Sequence, residues 1–234
     1  GNYFDDIDIN NSFLTGLETQ YIHKNQEQFI CLFNHLSDKN IIVQFRYDNG
    51  AWIDKFTTAL PEGEILVIPV GLAAHSTAES VNHFEVRVKQ QNAQVLLSNH
   101  YFFYVDNRDY EFTNEILYFN RFGVPVILLT KGLWEYRTKI TKQTSKRILA
   151  ANYDAQTFET FDYDHNQNYI IKATTGYFRN SEEAIEHSDL FSSPFVFLKE
   201  DARWKPVILN KSEVTTQQDK VNLQGFDFEI QMAI

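Results

Sequence analysis

The chain reads as mainly β: an immunoglobulin- or fibronectin-like β-sandwich, then a β-rich α+β unit with one helix near residues 181–192. Three observations predict this. Apolar residues recur at period two over short segments, as in Ile41, Val43, Phe45 and Tyr47, and again in Phe226, Phe228, Ile230 and Met232. Turn-forming clusters such as Asp48-Asn49-Gly50 and Pro61-Glu62-Gly63-Glu64 interrupt these segments at short intervals. Only the segment starting at Asn180 carries a strong helix-start signature.

The elements follow in order. Phe29 to Phe33 is apolar on both faces, as a sandwich-core strand is. Ile41 to Tyr47 runs into the Asp48-Asn49-Gly50 turn, where Asn and Gly tolerate positive φ, and Ala51 to Thr58 is the return strand. After the Pro61–Glu64 turn comes Ile65 to Ile68. A polar loop from His75 to Ser80 leads into alternating Phe84, Val86 and Val88, and Gln91-Asn92 turns the chain into a long strand from Val95 to Val105. That makes about six or seven strands without a helix, the pattern of a sandwich. Asp106-Asn107-Arg108-Asp109 reads as a linker, dividing the chain into residues 1–107 and 108–234.

In the second half, Ile116 to Phe119 and Val126 to Leu129 flank Asn120-Arg121-Phe122-Gly123 as a hairpin, with Pro125 suited to a strand start or an edge. Tyr136 to Ile148 alternates weakly and carries the basic residues Arg137, Lys139, Lys142, Lys146 and Arg147. Tyr153 to Asn168 reads as strand, turn, strand. The helix of about three turns has Asn180 as N-cap and Glu183 as the return half of a capping box, with Ala184, Ile185, Ser188, Leu190 and Phe191 as its buried side. Pro194 closes it. Strands at Phe195–Lys199 and Pro206–Leu209, joined by the Glu200–Arg203 turn, precede the final strand.

Composition narrows the function classes. The 234 residues include 21 Lys+Arg and 31 Asp+Glu, a formal charge of −10, with 43 % hydrophobic and 15 % aromatic residues. That is enough apolar material for a packed core, and the acidic balance argues against a generic phosphate binder, so no nucleic-acid partner is expected. The single Cys31 forms no internal disulfide and is expected to be a buried, inert thiol. No apolar run reaches the length of a membrane span. The chain opens on Gly1 rather than Met, which is compatible with a trimmed start or a removed signal peptide.

Few motifs carry chemistry. Asp6, Asp8 and Asn10, and again Asp162, Asp164 and Asn166, have the spacing that opens a calcium loop, but the sixth and twelfth positions are wrong (Asn11 and Leu17; Gln167 and Ala173), so polar turns are expected instead. The seven histidines, His23, His35, His75, His83, His100, His165 and His187, show no metal-ligand spacing and are expected on loops or the surface. No nucleophile elbow, P-loop or dinucleotide fingerprint is present, and no carboxylate pair singles itself out as a glycosidase pair. No cofactor, metal or catalytic residue is assigned. Trp52, Trp134 and Trp204 lie near turns, where an exposed ring stacks on a sugar or a partner; core packing is the default for such rings. The basic residues Arg137, Lys139, Lys142, Lys146 and Arg147 suit an acidic partner surface or a plain solvated strand face.

The second half resembles a family. Ile116 to Gly123 followed by an apolar strand, Gly176 to Ala184 leading into a helix, Leu190 to Leu198 leaving it, Lys205 to Leu209, and the closing Leu223 to Ala233 together are similar to segments of uncharacterised tail-module (virion structural) proteins encoded by prophages of Bacteroidetes-type bacteria. The likeness covers residues 110–234 and rests on the order and spacing of the segments. The hairpin departs from the family pattern: Gly123 is followed by Val124 where a second glycine is usual. The resemblance implies a non-enzymatic structural or adaptor role in a phage tail or tail-like particle, with other tail proteins or copies of itself as partners. On that reading the chain resides in the bacterial cytoplasm before assembly. The alternatives are an exported carbohydrate- or surface-binding β-sandwich, resting on the three tryptophans, and a hydrolase with dispersed carboxylates.

Overall fold

A computed structural model describes residues 14, 18–34, 39–75, 81–91, 96–98, 100–146, 160–210 and 225–232. The described chain is mainly β, with fourteen strands in three sheets and one short α-helix. The first sheet has five strands in the order β1 (Thr19–His23), β7 (Tyr101–Asp106), β6 (His83–Gln90), β3 (Lys39–Tyr47) and β4 (Ile53–Leu60). β1 runs parallel to β7, and the other pairs are antiparallel. The second sheet is the antiparallel pair β2 (Phe29–Phe33) and β5 (Ile65–Pro69). One apolar core joins the two: Ile30, Leu32 and Ile68 pack with Ile41, Val43, Phe45, Phe84, Val86, Val88 and Phe103.

Period-two patterning places those side chains. Ile41, Val43 and Phe45 are buried on one face of β3, and Phe84, Val86 and Val88 on the facing side of β6. The turn after β3 is tight because Asp48 (φ 43) and Asn49 (φ 62) take the left-handed conformation and Gly50 N–H bonds back to the Tyr47 carbonyl at 2.8 Å. The positive φ values thus fall on Asp48 and Asn49 rather than on the glycine. Gly63, at φ +78, supplies the turn that carries the chain from β4 in one sheet to β5 in the other.

Seven antiparallel strands form the third sheet, in the order β10 (Glu135–Lys146), β11 (Thr160–Thr174), β14 (Asp227–Met232), β13 (Arg203–Asn210), β12 (Val196–Glu200), β8 (Asn114–Phe119) and β9 (Pro125–Thr130). Helix α1 (Ser181–His187) and a 3-10 turn over Ser188–Phe191 lie on one face, where Ala184, Leu190, Phe178 and Phe226 pack against Ile116, Tyr118, Leu128, Ile171, Leu198, Phe228 and Ile230.

Most predicted strands are present, and the departures have physical reasons. The sequence reading omitted β1, a short strand that borrows its stability from pairing with β7. The strand expected from Val95 begins at Tyr101; Leu96 makes only an isolated bridge to Lys89, and residues 92–95 and 99 lie outside the description. The expected three-turn helix is α-helical for 7 residues and then tightens into the 3-10 turn. Its Ile185 faces solvent at 43 % exposure instead of the core. Asn180 Oδ1 accepts from Glu183 N–H at 2.8 Å as expected, but the Glu183 carboxylate reaches back to Arg179 N–H at 2.7 Å, one residue beyond the capping-box position. The expected linker is not solvated: Asp106 is buried. The residues of the His75–Ser80 loop after His75, the Asp6 motif and the turn between Tyr153 and Thr160 fall outside the described residues.

Candidate functional site

The region where the two halves of the chain meet is built around Asp106 at the end of β7. Its carboxylate accepts from Arg108 at 2.9 Å through both Nε and a terminal nitrogen, from Tyr110 Oη at 2.6 Å and from Lys131 Nζ at 2.9 Å. Burial alone would raise the Asp106 pKa, but these donors outweigh it and hold the carboxyl far below the usual carboxylate range. Arg179, which lies 3.7 Å from the same carboxylate, also stacks 4.1 Å from the centre of the Tyr21 ring. Lys131 and Arg179 come from the second half, so the residue read as a spacer is a tie. Nearby, His23 is buried, with Nε2 2.8 Å from the Arg108 carbonyl.

Edge strand β9 is closed by the first half. Gln26 Nε2 donates to the Ile127 carbonyl at 2.7 Å, and Ile127 N–H donates to Gln28 Oε1 at 3.3 Å. Both glutamines are 6 % exposed. Their segment is crossed closely by Gly71, where a Cβ would stand 2.5 Å from the Gln26 carbonyl oxygen. Cys31, Leu14 and Val124 form a small apolar cluster at the same seam, and burial pushes the Cys31 thiol up to about 11.

Between β1–β2 and α1 lies a cavity of about 190 Å³. One wall carries Gln20, Tyr21, Gln26 and Gln28; the other carries Glu182, Glu183, Glu186 and His187. Burial, with Asp189 and Glu183 adding repulsion, pushes the Glu186 carboxyl up to about 7. His187 is pushed down to about 4 by burial, against the pull of Asp189. Burial also keeps Tyr118 protonated, so its hydroxyl donates to a neutral His187 at Nδ1, 2.9 Å away, leaving the imidazole proton on Nε2. His23 and His187 therefore correct the expectation of loop or surface histidines. All the carboxylates stand on one wall, whereas hydrolysis of a glycoside needs them on both sides of the bond.

On its outer side α1 borders a groove of about 440 Å³ with Phe122, Ile185, Glu182 and Glu186 along it. Arg121 neutralises Asp189 through two side-chain bonds at 3.1 Å. Among the described residues, Glu182 and Glu186 form no salt bridge.

At the opposite edge of the sheet, β10 and β11 continue past the last pairing of β11 with β14, at Ile170. From Thr138 and Tyr169 outward they form a two-stranded ribbon of roughly 30 Å at about 3.4 Å per residue. Register puts Tyr136, Thr138 and Ile140 beside Ile171, Tyr169 and Gln167, on the face that is buried further back by Ile171 and Ala173. Beyond the helix this face is open: Tyr136 is 67 % exposed, Ile140 52 % and Tyr169 55 %.

The predicted basic residues are divided by this register. Lys142 shares the face of Ile140, while Arg137 and Lys139 point to the other. All three are exposed; Arg137 is held bidentately by Glu135 at 2.8 Å. Lys146 ends β10, and Arg147 lies outside the described residues. Asp162 and Asp164 sit on strand β11 rather than in a calcium loop. Among the described residues no group of three or more His, Cys, Asp or Glu converges as metal ligands.

The three tryptophans do not come together, and each is half-buried. Trp52 lies under the Arg87 guanidinium, 3.9 Å from its ring centre, with Arg46 at 5.0 Å and His100 edge-on at 5.2 Å. Trp134 packs against the second core, and Lys199 covers Trp204 at 5.4 Å. Glu85 beneath the Trp52 cluster is 2 % exposed and is paired with Arg46. Sequence reasoning missed the α1 carboxylates, because helix caps commonly carry such residues. It also missed the Tyr136–Ile140–Tyr169 stripe, whose signal was the alternation within the basic segment. No helix among the described residues is long and apolar enough to cross a membrane. Comparison of the chain with protein-family models, curated proteins and solved structures returns no match.

Proposed function

We propose that the chain is a non-enzymatic structural or adaptor component of a phage tail or tail-like particle and acts by protein–protein assembly. The observation that carries this reading is the β10–β11 ribbon, which extends the core face of the sheet into solvent with Tyr136, Ile140 and Tyr169 uncovered. Monomeric proteins rarely leave such a face open, and assembly parts use one to dock. The order of motifs across residues 110–234 supplies the particle context. In the same reading, residues 1–107 form an immunoglobulin- or fibronectin-like sandwich and residues 108–234 a second domain; the shared core of the first two sheets supports the former.

The carbohydrate-binding alternative loses its support where arginine and lysine side chains occupy the Trp52 and Trp204 rings. The test is made in the strain that encodes the chain. Particles released after prophage induction, purified and examined by quantitative mass spectrometry, are expected to contain it in fixed proportion to other tail proteins. Particles that lack it overturn the reading.

A further inference from the structure

The two edges of the seven-stranded sheet differ. At β9 the Gln26 and Gln28 side chains cap the backbone, and the groove beside α1 stands next to the β8–β9 turn. At β10 the chain projects as an open ribbon. Six strand spacings of about 4.8 Å, roughly 29 Å, separate the edges along the sheet, so a ribbon does not reach the groove of its own chain.

The two surfaces are chemically complementary. Strand β10 carries Arg137, Lys139, Lys142 and Lys146 against Glu135, a formal +3 (4 − 1), within a chain whose total is −10. Its exposed stripe is apolar and aromatic. The groove offers Phe122, 37 % exposed, and Ile185, 43 % exposed, beside Glu182 and Glu186. Each surface therefore presents apolar groups and one sign of charge, and the signs are opposite.

We propose that the β10–β11 ribbon of one copy docks, through Tyr136, Ile140, Tyr169, Lys139 and Lys142, in the groove formed by Phe122, Ile185, Glu182 and Glu186 of a second copy. This deepens the assembly reading and rests on it. Because ribbon and groove are different patches at opposite edges, the contact is head-to-tail, and its repetition gives a ring if the rotation closes and a filament if it does not.

The test uses the purified full chain in analytical ultracentrifugation. The wild type is expected to associate with rising concentration, more weakly at 1 M than at 0.1 M salt, since the Debye length shrinks from about 10 to about 3 Å. A ribbon variant, Lys139→Glu with Lys142→Glu, and a groove variant, Glu182→Lys with Glu186→Lys, are each expected to lose association by roughly 100-fold or more. Mixed together, they retain one matching pair, the wild-type ribbon of one and the wild-type groove of the other. They should form a 1:1 heterodimer that grows no further. Tyr136→Ser with Tyr169→Ser, at exposed positions, gives a second ribbon variant that leaves the charges intact and should also fail to associate.

A wild type that stays monomeric at high concentration overturns the proposal. So does a ribbon variant that still dimerises, which would indicate edge-to-edge pairing of β10 strands, or a mixture that remains monomeric while the wild type associates. Incorporation into induced particles is read separately. A chain found in particles without head-to-tail association defeats this proposal alone, and association without incorporation defeats the particle reading alone.

Discussion

Glu186 and His187 are neighbours in α1, and burial shifts both toward their neutral forms. From an ordinary 4.5, the Glu186 carboxyl rises to about 7, so between those values the folded chain holds a proton that the unfolded chain has released. Stability contributed by this group therefore falls as pH rises through that window. His187, lowered from 6.5 to about 4, refuses a proton that the unfolded chain accepts, so its contribution falls as pH drops from about 6.5 to about 4. The two slopes oppose each other where the windows overlap. Glu186→Gln removes one of them. The variant should match the wild type near pH 4.5 and exceed it by roughly 2–3 kcal/mol near pH 8, the scale of a shift of about two units. Urea denaturation at a series of pH values measures this, and a difference that does not change with pH would show that Glu186 is not the group responsible. Asp106 behaves oppositely: its depressed pKa stabilises the fold above the ordinary carboxylate range and withdraws that support as pH falls further into acid.

Among the elements, β9 would be a bare sheet edge without the first half of the chain. Gln26 and Gln28 take its Ile127 carbonyl and N–H, and truncating either side chain leaves a buried backbone group without a partner, at about 1–3 kcal/mol each. Gln26→Ala combined with Gln28→Ala should lower the denaturation midpoint by the equivalent of about 3 kcal/mol or more, while a loss below about 0.5 kcal/mol would mean water replaces both bonds. This pairing was not legible in the sequence, whereas β9 itself was. Strands such as β3, β6 and β14 announce themselves by alternation because one face meets a core. Partners across the chain leave no such mark: nothing near Gln26 points to Ile127, and nothing in Thr19–His23 reveals a parallel partner at Tyr101–Asp106. The helix start was legible through Asn180 and Glu183. Its early tightening was not, since it depends on how Leu190 and Phe191 seat against Phe226 and Phe228.

For the whole molecule, the sequence displayed the basic segment but not its setting. Charge alone could not separate a solvated strand from a projecting ribbon, because that distinction lies in where β14 stops pairing with β11. The described core residues all lie outside residues 139–168, so the ribbon adds surface without holding the fold together. Replacing residues 139–168 with Asn-Gly tests this separation directly. Thr138 and Tyr169 are register partners, and a two-residue turn of that composition closes such a pair with the twist that antiparallel strands need. The shortened chain should keep its melting temperature within about 4 °C of the wild type, a change of about 1 kcal/mol for a chain of this size. It should also remain monomeric at concentrations where the full chain associates. Melting by circular dichroism and sedimentation of the same preparation read the two properties independently. A large drop in melting temperature would make the ribbon part of the folding unit, and undiminished association would place the docking surface elsewhere.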